Sequence, residues 1–211
     1  MKKRLLVLSD SLALARSVPE ESTYENTWPA LLQKHFNVHQ LSIGGGRIGD
    51  ILSQASYHVS FNPDIVVLQC GIVDCAPRSL GYAELKILKL PPFRKIILPF
   101  FMKNAKAIRK IRNMTYTPPK RFEKEIKAVK ALFEHSEIYA IGILPASKNY
   151  EKKVPGIIKK SVEYNLILSN VFSTFFISMD NIPDNSIMSD NIHLNEAGQL
   201  YIYDQIMKHV G

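Results

Sequence analysis

The chain has 211 residues, 46% of them hydrophobic and 22% charged, which suits one domain with a full buried core and excludes a disordered or fibrous chain. No apolar run approaches the roughly 18 residues of a membrane span. The net charge is +8, and the excess gathers between Lys86 and Lys130, where more than a dozen Lys and Arg meet only Glu123 and Glu125.

The first residues, Met1-Lys2-Lys3-Arg4 and then Leu5 to Leu8, imitate a secretion signal, with Ala13-Leu14-Ala15 as its cleavage site. Asp10 would then put a charge inside the apolar stretch, so a buried strand over 4–8 explains the same letters better. A cleaved signal is not expected, and the cytoplasm is the expected compartment. Trp28, Leu31 and Leu32 share one face of a predicted helix over 27–35. A strand follows over 38–43, then a helix over 50–60 after a glycine turn, then the clearest buried strand over 64–69. A basic stretch around 84–118 is broken by Pro91, Pro92 and Pro99 and has no assigned elements.

Pro118 and Pro119 open an amphipathic helix that runs through His135. The remaining elements are a strand over 138–143, a helix over 156–172, a short strand over 175–178 and a helix over 196–210 capped by Asn195. Five strands joined by helices imply one α/β domain over 1–211 with a parallel sheet covered on both faces. Cys70 and Cys75 lie five apart with no further Cys or His cluster, so they predict two reduced thiols rather than zinc ligands or a disulfide.

In such a sheet, ligands bind beyond the carboxyl ends of the strands. Ser9-Asp10-Ser11 follows the first strand, Gly44-Gly45-Gly46 the second, and Gly71 to Asp74 the third, while Asp190 and His193 precede the last helix. A serine hydroxyl attacks only when a base takes its proton, and the base needs a partner that fixes its tautomer. Ser11, at a strand end on the turn into a predicted helix, has the place of a nucleophile. Asp190 and His193, three apart, have the spacing of an oriented base.

Four blocks carry a resemblance. Ser9-Asp10-Ser11-Leu12 resembles the Gly-Asp-Ser-Leu block of the SGNH/GDSL hydrolases, and Gly46-Arg47-Ile48-Gly49-Asp50 resembles their second block. Gln69-Cys70-Gly71-Ile72-Val73-Asp74 resembles the third, and Asp190-Asn191-Ile192-His193 the last. They occur in family order across nearly the whole chain. The resemblance implies a flavodoxin-like three-layer α/β/α sandwich with a five-stranded parallel sheet. It implies a catalytic triad of Ser11, His193 and Asp190, an oxyanion hole from the Ser11 and Gly46 N–H groups, and no metal or other cofactor.

Val73 departs from the family, standing where an asparagine amide donates to the oxyanion, and losing such a donor costs about 10²–10³ in rate. Arg47 and Arg78 could supply the missing donor, or they could bind substrate with Asp74, or face solvent. The Gly71 to Arg78 segment resembles SGNH-like proteins of bacterial surface-polysaccharide synthesis. The expected function is therefore a serine esterase or acyltransferase working on O-acyl, foremost O-acetyl, groups of a carbohydrate or polysaccharide precursor. The alternatives are a lipid esterase or thioesterase at a membrane surface and a non-catalytic carbohydrate-binding protein. The basic 86–112 segment could be a helical excursion with a solvated basic face, form a flap over the site, lie on an anionic membrane surface or bind an acidic polymer. Nucleic acid is not expected, since no reader motif accompanies the charge.

Overall fold

The computed structural model of the chain describes residues 2–210. Its sheet has five parallel strands, β1 (Arg4–Ser9), β2 (Asn37–Ser42), β3 (Ile65–Gln69), β4 (Glu137–Ile141) and β5 (Phe176–Ile177), in the order β2-β1-β3-β4-β5. Leu5 to Leu8 and Ile65 to Leu68 are buried on both faces of the sheet, which is why both strands read as unbroken apolar runs. Along β1, Leu6 and Leu8 join the core on one face while Leu5 and Val7 join the core on the other.

Ten α-helices connect and cover the strands among the described residues: α1 (Trp28–Leu32), α2 (Ile48–Ala55), α3 (Ile72–Cys75), α4 (Tyr82–Leu88), α5 (Phe93–Lys103), α6 (Ala105–Arg112), α7 (Pro119–Leu132), α8 (Lys148–Lys153), α9 (Ile157–Phe172) and α10 (Glu196–Val210). One core packs α2, α7 and α9 on the sheet through Ile48, Ile51, Phe122, Ile126, Tyr164 and Leu168. The other packs α1 and α10 through Trp28, Leu32, Ile202 and Ile206. The three-layer α/β/α sandwich is thus the one the sequence pattern predicts.

The differences are local. The helix predicted over 27–35 is α only through Leu32 and then tightens into turns, with Lys34 N–H on Leu31 O at 3.3 Å. The helix predicted over 50–60 starts earlier, at Ile48, and passes after Ala55 into a 3₁₀ turn that ends at left-handed Asn62 (φ 49°). The basic stretch folds into α4, α5 and α6. Neither α4 nor α6 buries a residue, and α5 carries Pro99 inside it. No helix among the described residues is long and apolar enough to cross a membrane.

From β1 the sheet grows to β2 on one side and to β3 on the other. The crevice beyond the carboxyl ends of β1 and β3 is therefore the switch point where open α/β sheets bind ligands.

Candidate active site

The turn after β1 sets the position of Ser11. Asp10 N–H donates to Gln69 O at 3.1 Å, tying that turn to the end of β3. The Asp10 carboxyl accepts from Leu12 N–H at 3.0 Å, and Ser11–Ala13 curl into one 3₁₀ turn with Ser11 at its start. The structure corrects the expected helix here. A single 3₁₀ turn supplies no macrodipole, so activation of the hydroxyl rests on its base. Gln199 of α10 fastens the turn from behind, donating to Leu12 O at 3.0 Å and accepting from Trp28 N–H at 3.1 Å. Asp10 itself is fully buried. Burial pushes its carboxyl up to about 7, against the opposing hydrogen bonds from Leu12 N–H and the Gln69 side chain.

The base is held from the other side. Asn195 caps α10 by accepting from Gly198 N–H at 3.0 Å. A Cβ at Gly198 would lie 2.3 Å from Ser186 O, so the start of α10 presses directly on the 184–186 turn, and Leu194 bridges back to Ile187. In the loop so fixed, Asp190 Oδ1 accepts from the backbone N–H groups of Ile192 (2.8 Å) and His193 (2.9 Å), while Oδ2 faces His193 Nδ1 at 2.6 Å. Burial pushes the Asp190 carboxyl up, but these hydrogen bonds from His193 and Ile192 outweigh it and hold the group below the ordinary carboxylate range. An ionised carboxylate only accepts, so Nδ1 carries the ring proton and Nε2 is left with its lone pair. Nε2 faces Ser11 Oγ at 3.0 Å. The three predicted triad residues, from opposite ends of the chain, therefore form one hydrogen-bonded line.

A fourth side chain joins them. Arg16 Nη2 stands 2.9 Å from the same Nε2. Arg16 was not among the predicted residues. It returns to the site because its backbone pairs in both directions with Ser22, at 2.9 and 2.8 Å, which turns the chain back over Ser11.

Ser11, Arg16, Arg78 and His193 line a cavity of about 310 Å³ whose wall includes Gly44, Gly45 and Val73. The Gly46 N–H, predicted to hold the oxyanion, is spent on Ile43 O at 2.9 Å, and a Cβ at Gly46 would meet Ile43 at 2.8 Å. Gly46 closes the turn. The Ser11, Gly44 and Gly45 N–H groups have no acceptor among the described residues, and Gly45 takes the left-handed φ of +68°.

Arg47 does not reach the cavity either. Its guanidinium forms a fork on Asp50 (2.9 and 2.8 Å) and lies over the Tyr82 ring at 4.2 Å. Asp74 is buried and cannot touch a substrate. It accepts from Ile48 N–H (3.1 and 3.2 Å) and Thr117 Oγ (2.5 Å), joining the start of α2 to α3, and burial pushes its carboxyl up to about 6. Arg78 does line the cavity, its Nη2 donating to Val73 O at 3.0 Å. The Val73 side chain itself has no donor to offer the cavity. Cys70 and Cys75 are buried free thiols, pushed up by burial and so poor nucleophiles. A larger hollow of about 730 Å³ lies at the amino ends of β1 and β4, but its Ser136 hydroxyl is spent on Pro63 O (2.7 Å), and it holds no nucleophile paired with a base. Among the described residues no three His, Cys, Asp or Glu are grouped to hold a metal ion.

No family model matches the chain, and no curated protein matches it. Solved structures do. A lipase/acylhydrolase from Enterococcus faecalis superposes with a TM-score of 0.68 at 13% identity, over 99% of this chain and 95% of that one. The fold is that of the SGNH/GDSL hydrolases. The psychrotrophic esterase EstA from Pseudoalteromonas sp. superposes at 0.59 and 17% identity, over 99% and 97% of the two chains. A member of the lipolytic protein G-D-S-L family from Veillonella parvula gives 0.59 at 11% identity, over 97% and 96%. At such identities the likeness establishes the SGNH/GDSL architecture, and the chemistry is argued from the Ser11 site itself.

Proposed function

We propose that the chain is a serine ester hydrolase that removes short O-acyl groups, foremost O-acetyl, from carbohydrate. The observation that carries the chemistry is the continuous line Ser11 Oγ–His193 Nε2, His193 Nδ1–Asp190 Oδ2, at 3.0 and 2.6 Å. Ser11 Oγ attacks the acyl carbon while its proton passes to Nε2, and Asp190 stabilises the imidazolium so formed. The Ser11 N–H and the free N–H groups of the Gly44–Gly45 turn hold the oxyanion. The tetrahedral intermediate collapses to an acyl-enzyme as Nε2–H protonates the departing sugar oxygen. Water, or another hydroxyl in a transfer reaction, then takes the acyl group by the reverse sequence of proton moves.

A short acyl group is favoured by the neighbouring apolar crevice. It shares Ile72, Tyr150 and Ile192 with the cavity, yet its volume is about 10 Å³, hardly enough for one water. Among the described residues that crevice leaves little room for a long acyl chain. The preference for carbohydrate rests on the resemblance of the Gly71 to Arg78 segment. The test is hydrolysis of p-nitrophenyl acetate against p-nitrophenyl decanoate, with Ser11→Ala as control. Activity should favour acetate and vanish in the variant; turnover that survives Ser11→Ala rejects the proposal.

A further inference from the structure

Two guanidinium groups line the wall around Ser11, and among the described residues neither has a carboxylate partner. Arg16 reaches only Val18 O (3.4 Å) and His193, and Arg78 reaches only Val73 O and the face of the Tyr116 ring at 4.2 Å. The Nε atom of each is buried without an acceptor. The wall also includes Tyr150, whose hydroxyl makes no hydrogen bond among the described residues. Uncompensated guanidinium forks beside a nucleophile are donors waiting for an acceptor of opposite charge.

The position of Arg16 adds a second point. His193 Nε2 has one lone pair, and both Arg16 Nη2 (2.9 Å) and Ser11 Oγ (3.0 Å) point a donor at it. Once the Ser11 proton moves to Nε2, the new N–H would face the Arg16 N–H, donor against donor and cation against cation. While it stays there, Arg16 competes with Ser11 for the base and slows it. A neutral ester gives it no reason to go, whereas an anion in the same cavity offers a bidentate partner.

Building on the serine-esterase reading, we propose that the substrate carries an anionic group, a carboxylate or a phosphate, gripped by Arg16 and Arg78, and that its arrival draws Arg16 off His193. The same contact then selects the substrate and frees the base.

The test compares an O-acetylated hexuronate, an O-acetylated hexose 6-phosphate and the matching neutral O-acetyl hexose. Wild type should favour at least one anionic ester by about 100-fold or more in kcat/KM, and which one identifies the anion. Arg16→Gln should cut the anionic rate at least 10-fold while raising kcat on the neutral ester, and Arg78→Gln should raise KM at least 10-fold more for the anionic ester than for the neutral one. Equal rates on all three esters, or an Arg16→Gln loss as large on the neutral ester as on the anionic ones, would overturn the inference. Calorimetric titration of Ser11→Ala with glucuronate and with inorganic phosphate reads binding without turnover. Heat with one of them that disappears when Arg16→Gln and Arg78→Gln are added supports the grip. Absence of heat with both, in a protein whose wild type still labels with a fluorophosphonate, removes the anion site and leaves the esterase standing. Failure to label removes both.

A different surface carries a second inference. Tyr82 to Arg112 holds nine Lys and Arg against one acid, Glu84, so the other 180 residues carry 18 bases and 18 acids and the whole net charge sits on α4–α6. The same segment exposes Ile87, Leu90, Phe93, Phe100, Met102 and Ile111, the last at 83%. Large apolar side chains interleaved with lysines match an anionic bilayer surface, where the apolar groups enter the headgroup layer and the cations meet lipid phosphates. We infer that α4–α6 seat on such a surface.

Co-sedimentation with vesicles of 30% phosphatidylglycerol should capture the chain, and pure phosphatidylcholine should not. The triple variant Phe100→Ser, Met102→Ser, Ile111→Ser should lower capture at least 10-fold. Undiminished capture of that variant would mean a purely ionic attraction, and equal capture by neutral vesicles would remove the role of charge; either result overturns the inference.

Discussion

Replacing Asp190 by Asn changes the proton on His193 without moving an atom of the frame. The amide Oδ1 can still accept from Ile192 N–H and His193 N–H, which are 2.8 and 2.9 Å away, so the loop keeps its shape. The amide NH₂ then occupies the place of Oδ2, 2.6 Å from Nδ1, and a donor there forces Nδ1 to accept. The ring proton moves to Nε2, where it faces Ser11 Oγ and can no longer take the hydroxyl proton. A tautomer error of this kind costs a serine triad about 10⁴ in kcat, equivalent to about 5 kcal/mol at 1.36 kcal/mol per tenfold. The thermal midpoint should fall by no more than a few degrees, because both backbone hydrogen bonds survive. Initial rates on p-nitrophenyl acetate, with a melting curve on the same sample, measure both quantities. A loss in kcat below about 10-fold in a folded variant would refute the assignment of Asp190 as the group that sets the tautomer.

Three further outcomes follow from the geometry. Val73→Asn puts an amide donor where valine offers none, and kcat on acetyl esters should rise about 10-fold, part of the 10²–10³ such a donor supplies; an unchanged kcat means that the hole is complete without it. Asp10, raised to about 7 by burial from an ordinary 3.8, binds a proton in the folded state that the unfolded chain has already lost. Its contribution therefore falls as pH rises from about 4 to about 7 and then levels. Between pH 5 and 8, urea unfolding of Asp10→Asn should gain on wild type by up to about 3 kcal/mol, and a gap that narrows instead contradicts the buried proton. Gly198→Ala drives a methyl group against Ser186 O, and forcing that contact apart should cost about 1–3 kcal/mol by denaturant titration, while a neutral result would mean that α10 does not press on the 184–186 turn.

The sheet was legible because its central strands are buried on both faces and so appear as apolar runs, and α10 because Asn195 and the residues after it mark a helix start. Ser11, His193 and Asp190 were legible because each block places its residue on a loop that the topology must bring to one rim. Other features were hidden for physical reasons. The basic segment is broken by Pro91, Pro92 and Pro99, and Pro99 sits inside α5, where proline ordinarily ends a helix, so the bounds of its helices could not be read beforehand. Three successive glycines look alike in sequence. Only the backbone shows that Gly46 turns its N–H to Ile43 while Gly44 and Gly45 face the cavity. Arg47 and Arg78 were equal candidates until Asp50 and Tyr82 took the first of them. Arg16 could not be found at all, since its place depends on a single backbone pairing with Ser22.

The central claim is that Ser11 is an activated nucleophile served by His193. Incubation of the folded protein with a fluorophosphonate, followed by proteolysis and mass spectrometry of the labelled peptide, tests it most directly. The account predicts one adduct, on Ser11, formed at least 100-fold more slowly in His193→Ala and absent from Ser11→Ala. An adduct on another residue, or no adduct on a protein that is folded by its melting curve, would contradict it.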